Sequence, residues 1–218
     1  MRVRKPAAVV KGPPRRKPGP PPSRLPADSL GLSLLLAARV IAAVRAGQSL
    51  TQALRPLSAA APAARAAAQD VAYGTLRRYG CGEFILARLL TKPLSHAETE
   101  ALLLAALFRL HTRPEAAYMV VDQAVAAAGE MTGGVFKGLV NGLLRSYLRQ
   151  RESLAAAMAG DDEAVQQHPA WWLARLRRAY PEHWQEIVAA GNGPPPMTLR
   201  VNRRRATSEA YAARLLEA

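Results

Sequence analysis

The sequence holds one cysteine, Cys81. A single thiol closes no intramolecular disulfide and builds neither a cysteine-based zinc site nor an iron–sulfur site. That usage suits a reducing compartment, and the chain reads as cytoplasmic. Aromatic residues are also scarce, at 6%, with only three Phe and three Trp. Half of the residues are apolar, but most of these are Ala and Leu, which favour helices and mark strands poorly. An all-α fold follows. No run of about 18 uninterrupted apolar residues occurs, so nothing reads as a membrane-spanning helix. Basic residues open the chain without an apolar stretch behind them, which excludes a secretory leader. GxSxG, HExxH, Walker and GxGxxG motifs are missing. The four histidines, His96, His111, His168 and His183, lack metal-ligand spacing. The residues themselves therefore point to no catalytic group, no metal and no cofactor site.

What is present is positive charge. Thirty Lys and Arg face sixteen Asp and Glu, a formal net charge of +14, which favours a polyanionic partner. Residues 1–26 are Pro-rich and hold eight of the basic residues with no acid. They read as a disordered tail that touches phosphates without sequence preference, or that only keeps the chain in solution.

The rest divides by texture. Residues 28–150 read as a bundle of about seven helices. Asp28 or Ser29 caps the first, and Gly47 stands just past its end. Pro62 suits the first turn of another. Ser95 and Glu98 form a capping-box pattern ahead of "ALLLAALFRL", which is apolar all round and is expected at the buried centre. Thr132 is the expected cap of the last helix. There Phe136, Leu139, Val140, Leu143, Leu144, Tyr147 and Leu148 make one apolar stripe. Gly138 and Gly142 in that helix are expected where another helix backbone comes close, because a helical Gly costs about 1 kcal/mol against Ala. Residues 151–167 read as a linker. Residues 168–193 read as a two-helix connector with all three tryptophans, Trp184, Ile187 and Val188 forming its buried edge. Residues 194–218 open with "PPPMTLRVNRRR", a strand and then a helix, the incomplete start of an α+β subdomain. The last helix should leave Tyr211, Leu215 and Leu216 uncovered.

The candidate site residues are cationic. Lys137, Arg145 and Arg149 recur, with Asn141, every four positions along one helix. Arg77 and Arg78 lie at a helix end, Arg200, Arg203, Arg204 and Arg205 surround the strand, and the uncharged Asn202 lies within it. Several such faces in one basic chain point to RNA. Few aromatics are interleaved with them, so phosphate contact on a folded RNA is expected rather than base stacking. Gly133 and Gly134 read as a turn, and Cys81 as a small residue in helix packing.

Three segments, "AYGTLRRYGCGEFILARLL", "LLLAALFRLHTRPEAAYMVVDQAV" and "FKGLVNGLLRSYLRQ", resemble the helical domain of the antitermination factor NusB. They resemble more closely the version fused to bacterial 16S rRNA cytosine-C5 methyltransferases of the RsmB (Sun/Fmu) family. "HPAWWLARLRRAYPEHWQEIVAAGNGPPPMTLRVN" resembles that family's bridge into its catalytic half, and "LRVN" the start of its small RNA-recognition subdomain. The resemblance covers about residues 28–218. It implies an RNA-binding, substrate-orienting portion with small-subunit ribosomal RNA as partner. It also implies S-adenosylmethionine as the full-length family's cofactor, held by a glycine-rich loop and served by two cysteine motifs. Neither motif nor loop occurs in this sequence, and Cys81 inherits neither role. The chain on this reading is inactive alone, and is either a truncated piece of the enzyme or the product of a split or wrongly terminated gene. An alternative is a stand-alone NusB-like module of transcription antitermination with a ribosomal-protein partner, which has no need of residues 168–218. A third reading is an interaction module with a solubilising tail.

Overall fold

The two most apolar segments, "LGLSLLLAARVIAAVR" and "AETEALLLAALFRLHT", have too many apolar positions to present a single face, so each has to be surrounded. The computed structural model describes residues 23–193 and 197–216. The expectation for the basic tail falls, over residues 1–22, outside the described residues. Twelve α-helices are present among them: α1 (Leu30–Arg45), α2 (Leu50–Leu54), α3 (Pro62–Arg77), α4 (Tyr79–Leu89), α5 (Ala97–Thr112), α6 (Ala117–Gly129), α7 (Lys137–Arg149), α8 (Arg151–Met158), α9 (Asp162–Gln166), α10 (Ala170–Ala179), α11 (Trp184–Asn192) and α12 (Ser208–Leu216). The fold is all-α, as the composition predicts.

α5 is the centre. Leu102, Leu103, Leu104, Leu107 and Leu110 are all buried along it. α1 lies beside α5 and adds Leu34, Leu35 and Ile41. α3 and α6 flank this pair with small residues, Ala68 and Ala72 from one and Ala124, Ala127 and Ala128 from the other. α7 then closes on α6 and α5 through Val140, Leu143, Leu144 and Tyr147. Leu139 of the predicted stripe is exposed. The apolar face of α7 is wider than the surface it packs against.

Helix starts depart from the sequence-based expectation in two places. Ser29 caps α1, its hydroxyl accepting from the Leu32 N–H at 3.1 Å. α5, however, is capped by His96 and not by Ser95. Its Nδ1 accepts from the Thr99 N–H at 3.2 Å, while the ring stacks on Phe136 with centroids 5.4 Å apart. That stacking favours the imidazole over the neighbouring hydroxyl, and Glu98 turns instead to Arg39 at 4.0 Å. Thr132 caps nothing either. It has φ +43°, followed by Gly133 at +66° and Gly134 at +81°. A side-chain cap needs extended backbone at that residue, and α7 begins only at Lys137 without a side-chain cap.

The glycines that permit close packing are not the expected ones. A Cβ built on Gly138 or Gly142 meets nothing within 4 Å, so no helix leans on either. On Gly74 it would stand 2.1 Å from Cζ of Phe108, and on Gly82 2.7 Å from a methyl of Leu104. On Gly80 it would stand 2.5 Å from the backbone oxygen of Glu163. α9 thus rests its main chain directly on α4.

Residues 151–167 form α8 and α9, and Leu154 and Ala164 enter the core. Asp161 caps α9, accepting from the Ala164 N–H at 2.9 Å. The α10–α11 pair hangs on α9 by three links. Arg177 donates to Asp162 at 2.8 Å, Asn192 Nδ2 donates to the Gln166 carbonyl at 3.0 Å, and the Ala170 N–H donates to the Glu163 carboxylate. Leu173 and Val188 are buried in this pair, with the Arg177 guanidinium 4.2 Å over the Trp184 ring. Trp184 is only half-buried and Ile187 is exposed, so the predicted edge narrows to Val188. The predicted strand is not one. Residues 197–202 carry no strand, because a ladder needs a partner and none exists among the described residues. Leu215 and Leu216 of α12 are exposed, as expected, but Tyr211 is half-buried.

Two substitutions separate the glycine roles. Gly80→Ala should cost about 1–3 kcal/mol, because main chain rather than a flexible side-chain end must move. Gly142→Ala should leave stability unchanged or raise it by up to about 1 kcal/mol. Urea denaturation measures both. Equal effects would remove the distinction.

Candidate nucleic-acid interface

α7 presents its apolar stripe inward, so the residues four apart on its other side face outward along α6. The short turn at Gly129–Phe136 sends α7 back beside α6, and a groove of about 570 Å³ opens between them. Tyr118, Val121, Asp122 and Val125 line one wall. Asn141, Arg145, Leu148 and Arg149 line the other. Arg145 Nε donates to Asn141 Oδ1 at 3.0 Å. That bond fixes the guanidinium while its terminal nitrogens make no protein hydrogen bond among the described residues.

The groove cations differ from the chain's structural arginines. Arg45 is shared between Glu83 at 3.2 Å and Glu100 at 3.0 Å, Arg109 reaches Asp70 at 3.6 Å, and Arg177 reaches Asp162 at 2.8 Å. Among the described residues, Lys137, Arg145 and Arg149 have no acid within ion-pair distance. Asp122 shares the groove, but its carboxylate accepts from Gln123 Nε2 at 3.1 Å. Lys137 stands apart from the groove, its stem lying against Gly129 and Gly134.

A second cationic group forms where α3, α5 and α8 meet. Arg78 Nη1 lies 2.6 Å from Nε2 of His111. His111 is held below the usual histidine range, first by partial burial of its ring and then by the charges of Arg78 and Arg151. A neutral imidazole accepting from Arg78 fits this geometry. Arg77 is exposed one residue earlier, with no side-chain partner among the described residues. Burial pushes the Cys81 thiol up, which suits a packing residue and not a nucleophile.

Arg200, Asn202 and Arg203 stand exposed on the segment between α11 and α12. Asn202 Oδ1 accepts from the Arg204 N–H at 3.0 Å, forming a local turn. No hydrogen bond or ion pair among the described residues ties these three to the bundle. The structure therefore brings Asn141, Arg145 and Arg149 together, joins Arg78 to His111 and Arg151, and leaves Arg77, Lys137 and the 200–203 group separate. Sequence reasoning missed Tyr118, Asp122 and His111. The only signal for the first two is their shared face on α6, and His111 gains meaning only once three helix ends converge. Another cleft, of about 620 Å³ between α4 and α9, carries Glu83, Asp161 and Glu163. Three carboxylates against Arg88 make it unsuited to phosphate.

Two family models match the sequence. The NusB family matches residues 33–149. The Methyltr_RsmF/B-like, ferredoxin-like domain matches residues 168–218. Among curated proteins, Ribosomal RNA small subunit methyltransferase B of Pseudomonas putida is 37% identical over 188 residues, covering 84% of this chain and 43% of that protein. The protein of the same name from Klebsiella pneumoniae is 36% identical over 196 residues, covering 87% and 44%. That from Serratia proteamaculans is 36% identical over 183 residues, covering 79% and 42%. The chain spans less than half the length of these relatives, and its likeness is to their N-terminal part.

His111 gives a pH prediction. With its native pKa lowered, the unfolded chain takes up the proton first, at about pH 6.5. The stability tied to neutral His111 is complete above that pH and is lost as pH falls below it. An NMR titration should place the His111 midpoint below 6.5, and His111→Gln should lessen the loss of stability between pH 7.5 and 5.5. A midpoint at or above 6.5 would remove the two-arginine environment.

Proposed function

Because the chain belongs to the NusB family, we propose that it is the RNA-binding, substrate-orienting portion of an S-adenosylmethionine-dependent 16S rRNA cytosine-C5 methyltransferase acting in the cytoplasm. The observation that carries this reading is the α6–α7 groove with Arg145 and Arg149, neither of them in an ion pair among the described residues. Phosphate contacts of this kind position RNA and need no sequence information. Arg77, Arg78, Lys137, Arg200, Asn202 and Arg203 contribute further contacts elsewhere on the surface. The ferredoxin-like match over residues 168–218 favours this reading over a stand-alone antitermination module with a ribosomal-protein partner, which has no use for that segment.

S-adenosylmethionine does not fit the residues described. No strand among them carries a glycine-rich loop, and Cys81 is buried with its thiol pushed up. The donor site and the nucleophile are assigned to the catalytic half that the resemblance implies. What these residues do is hold RNA. Arg145, pre-set by Asn141, offers its terminal N–H groups to phosphate oxygens, and Arg149 does so one turn further on.

The test is Arg145→Glu combined with Arg149→Glu, with binding to a small-subunit rRNA fragment followed across a salt series. Affinity should fall several-fold, and the slope of log K against log salt should flatten by roughly one to two. Unchanged binding with full helicity by circular dichroism would remove α7 as the RNA face.

A further inference from the structure

We propose that the α6–α7 groove takes an unpaired nucleotide of a single-stranded RNA segment, with its base stacked on Tyr118 and its phosphates on Arg145 and Arg149. This rests on the RNA-binding reading and goes beyond it, since backbone contact alone needs no aromatic ring.

Four observations converge. Tyr118 is 86% exposed although it lines the groove. Packing therefore does not account for a large ring there, and an exposed ring beside two cations is what a single-strand site uses. The groove, at about 570 Å³, lies in the range that encloses small ligands of nucleotide size. Its polar groups suit a base edge. Asp122 accepts hydrogen bonds and Asn141 both donates and accepts, as exocyclic amines and ring nitrogens require. Finally, Gly138, Gly142, Arg145 and Arg149 share one face of α7 by helical spacing. A Cβ at either glycine would meet nothing within 4 Å, so the main chain is bare where a sugar–phosphate backbone would approach. These glycines weaken α7 and support no packing, so a close-approaching ligand accounts for them. A duplex keeps its bases stacked inside and cannot offer one to Tyr118.

The test compares Tyr118→Leu with Tyr118→Phe in the 218-residue chain. Each is titrated by fluorescence anisotropy against a single-stranded RNA of about twelve nucleotides and against the same sequence as a duplex. Because Tyr118 is exposed, neither variant threatens the fold. Tyr118→Leu should weaken single-strand binding by about five- to tenfold, leave duplex binding unchanged, and leave the Phe variant like the parent. Equal affinities of Tyr118→Leu and parent for the single strand, or equal losses on both RNAs, would overturn the stacking site. The doubly charge-reversed Arg145/Arg149 variant separates the two failures. If it weakens binding while Tyr118→Leu does not, phosphate recognition stands and the base site falls. If neither weakens binding, both fall.

Discussion

A helix with no polar face sets the terms for the rest of the molecule. α5 buries nine of its sixteen residues, leucines on every side of it. Such a helix has no stable exposure to water and has to be sheathed. α1, α3, α4, α6 and α7 supply the sheath. Truncating one of these leucines to Ala would cost about 2–5 kcal/mol. Enclosing α5 uses only the inner face of each surrounding helix. Their outer faces are left to carry charge, and that is where the groove cations stand.

The distribution of acids then decides which cations matter. The bundle's carboxylates are largely committed to particular arginines: Glu83 and Glu100 to Arg45, Glu98 to Arg39, Asp70 to Arg109. Those pairs hold helices in register, and exposed pairs of this kind add little stability each. They leave Arg145, Arg149, Arg78 and Arg151 among the described cations that no carboxylate neutralises. A net charge counted over the whole sequence conceals this. Two guanidiniums outside any ion pair attract phosphate more strongly than the same two each bound to a carboxylate.

Helix positions were legible from composition and periodicity, because Ala and Leu patterning dominates them. The seven helices between residues 28 and 150, the Ser29 cap and the buried centre all follow from local rules. The failures share one cause, that the deciding partner lies far off in sequence. His96 displaces Ser95 because Phe136 stacks on it. Gly74, Gly80 and Gly82 matter because Phe108, Glu163 and Leu104 stand against them, whereas Gly138 and Gly142, open to the approach of a neighbouring helix, have none beside them. The strand at 197–202 has the right alternation, but alternation without a second strand makes no sheet. In the site, Asn141, Arg145 and Arg149 were readable from a four-residue repeat. Tyr118 and Asp122 were not, because the wall they form exists only once α7 folds back along α6.

An orienting role makes a mechanical demand that a tethering role does not. RNA held at α7 has to be fixed relative to the α10–α11 connector, and a flexible linker would transmit position only as an averaged local concentration. Residues 151–167 do not behave as such a linker. α9 lies main chain on main chain against Gly80, and its side chains and carbonyls hold both α10 and α11. A contact without intervening side chains has little room to slide, since interiors are close-packed and bistable rather than elastic. The path from the groove to the connector therefore runs through packed helices, α7 to α4 to α9 to α10. Under the proposed orienting role, Gly80 is the point at which that path passes main chain on main chain.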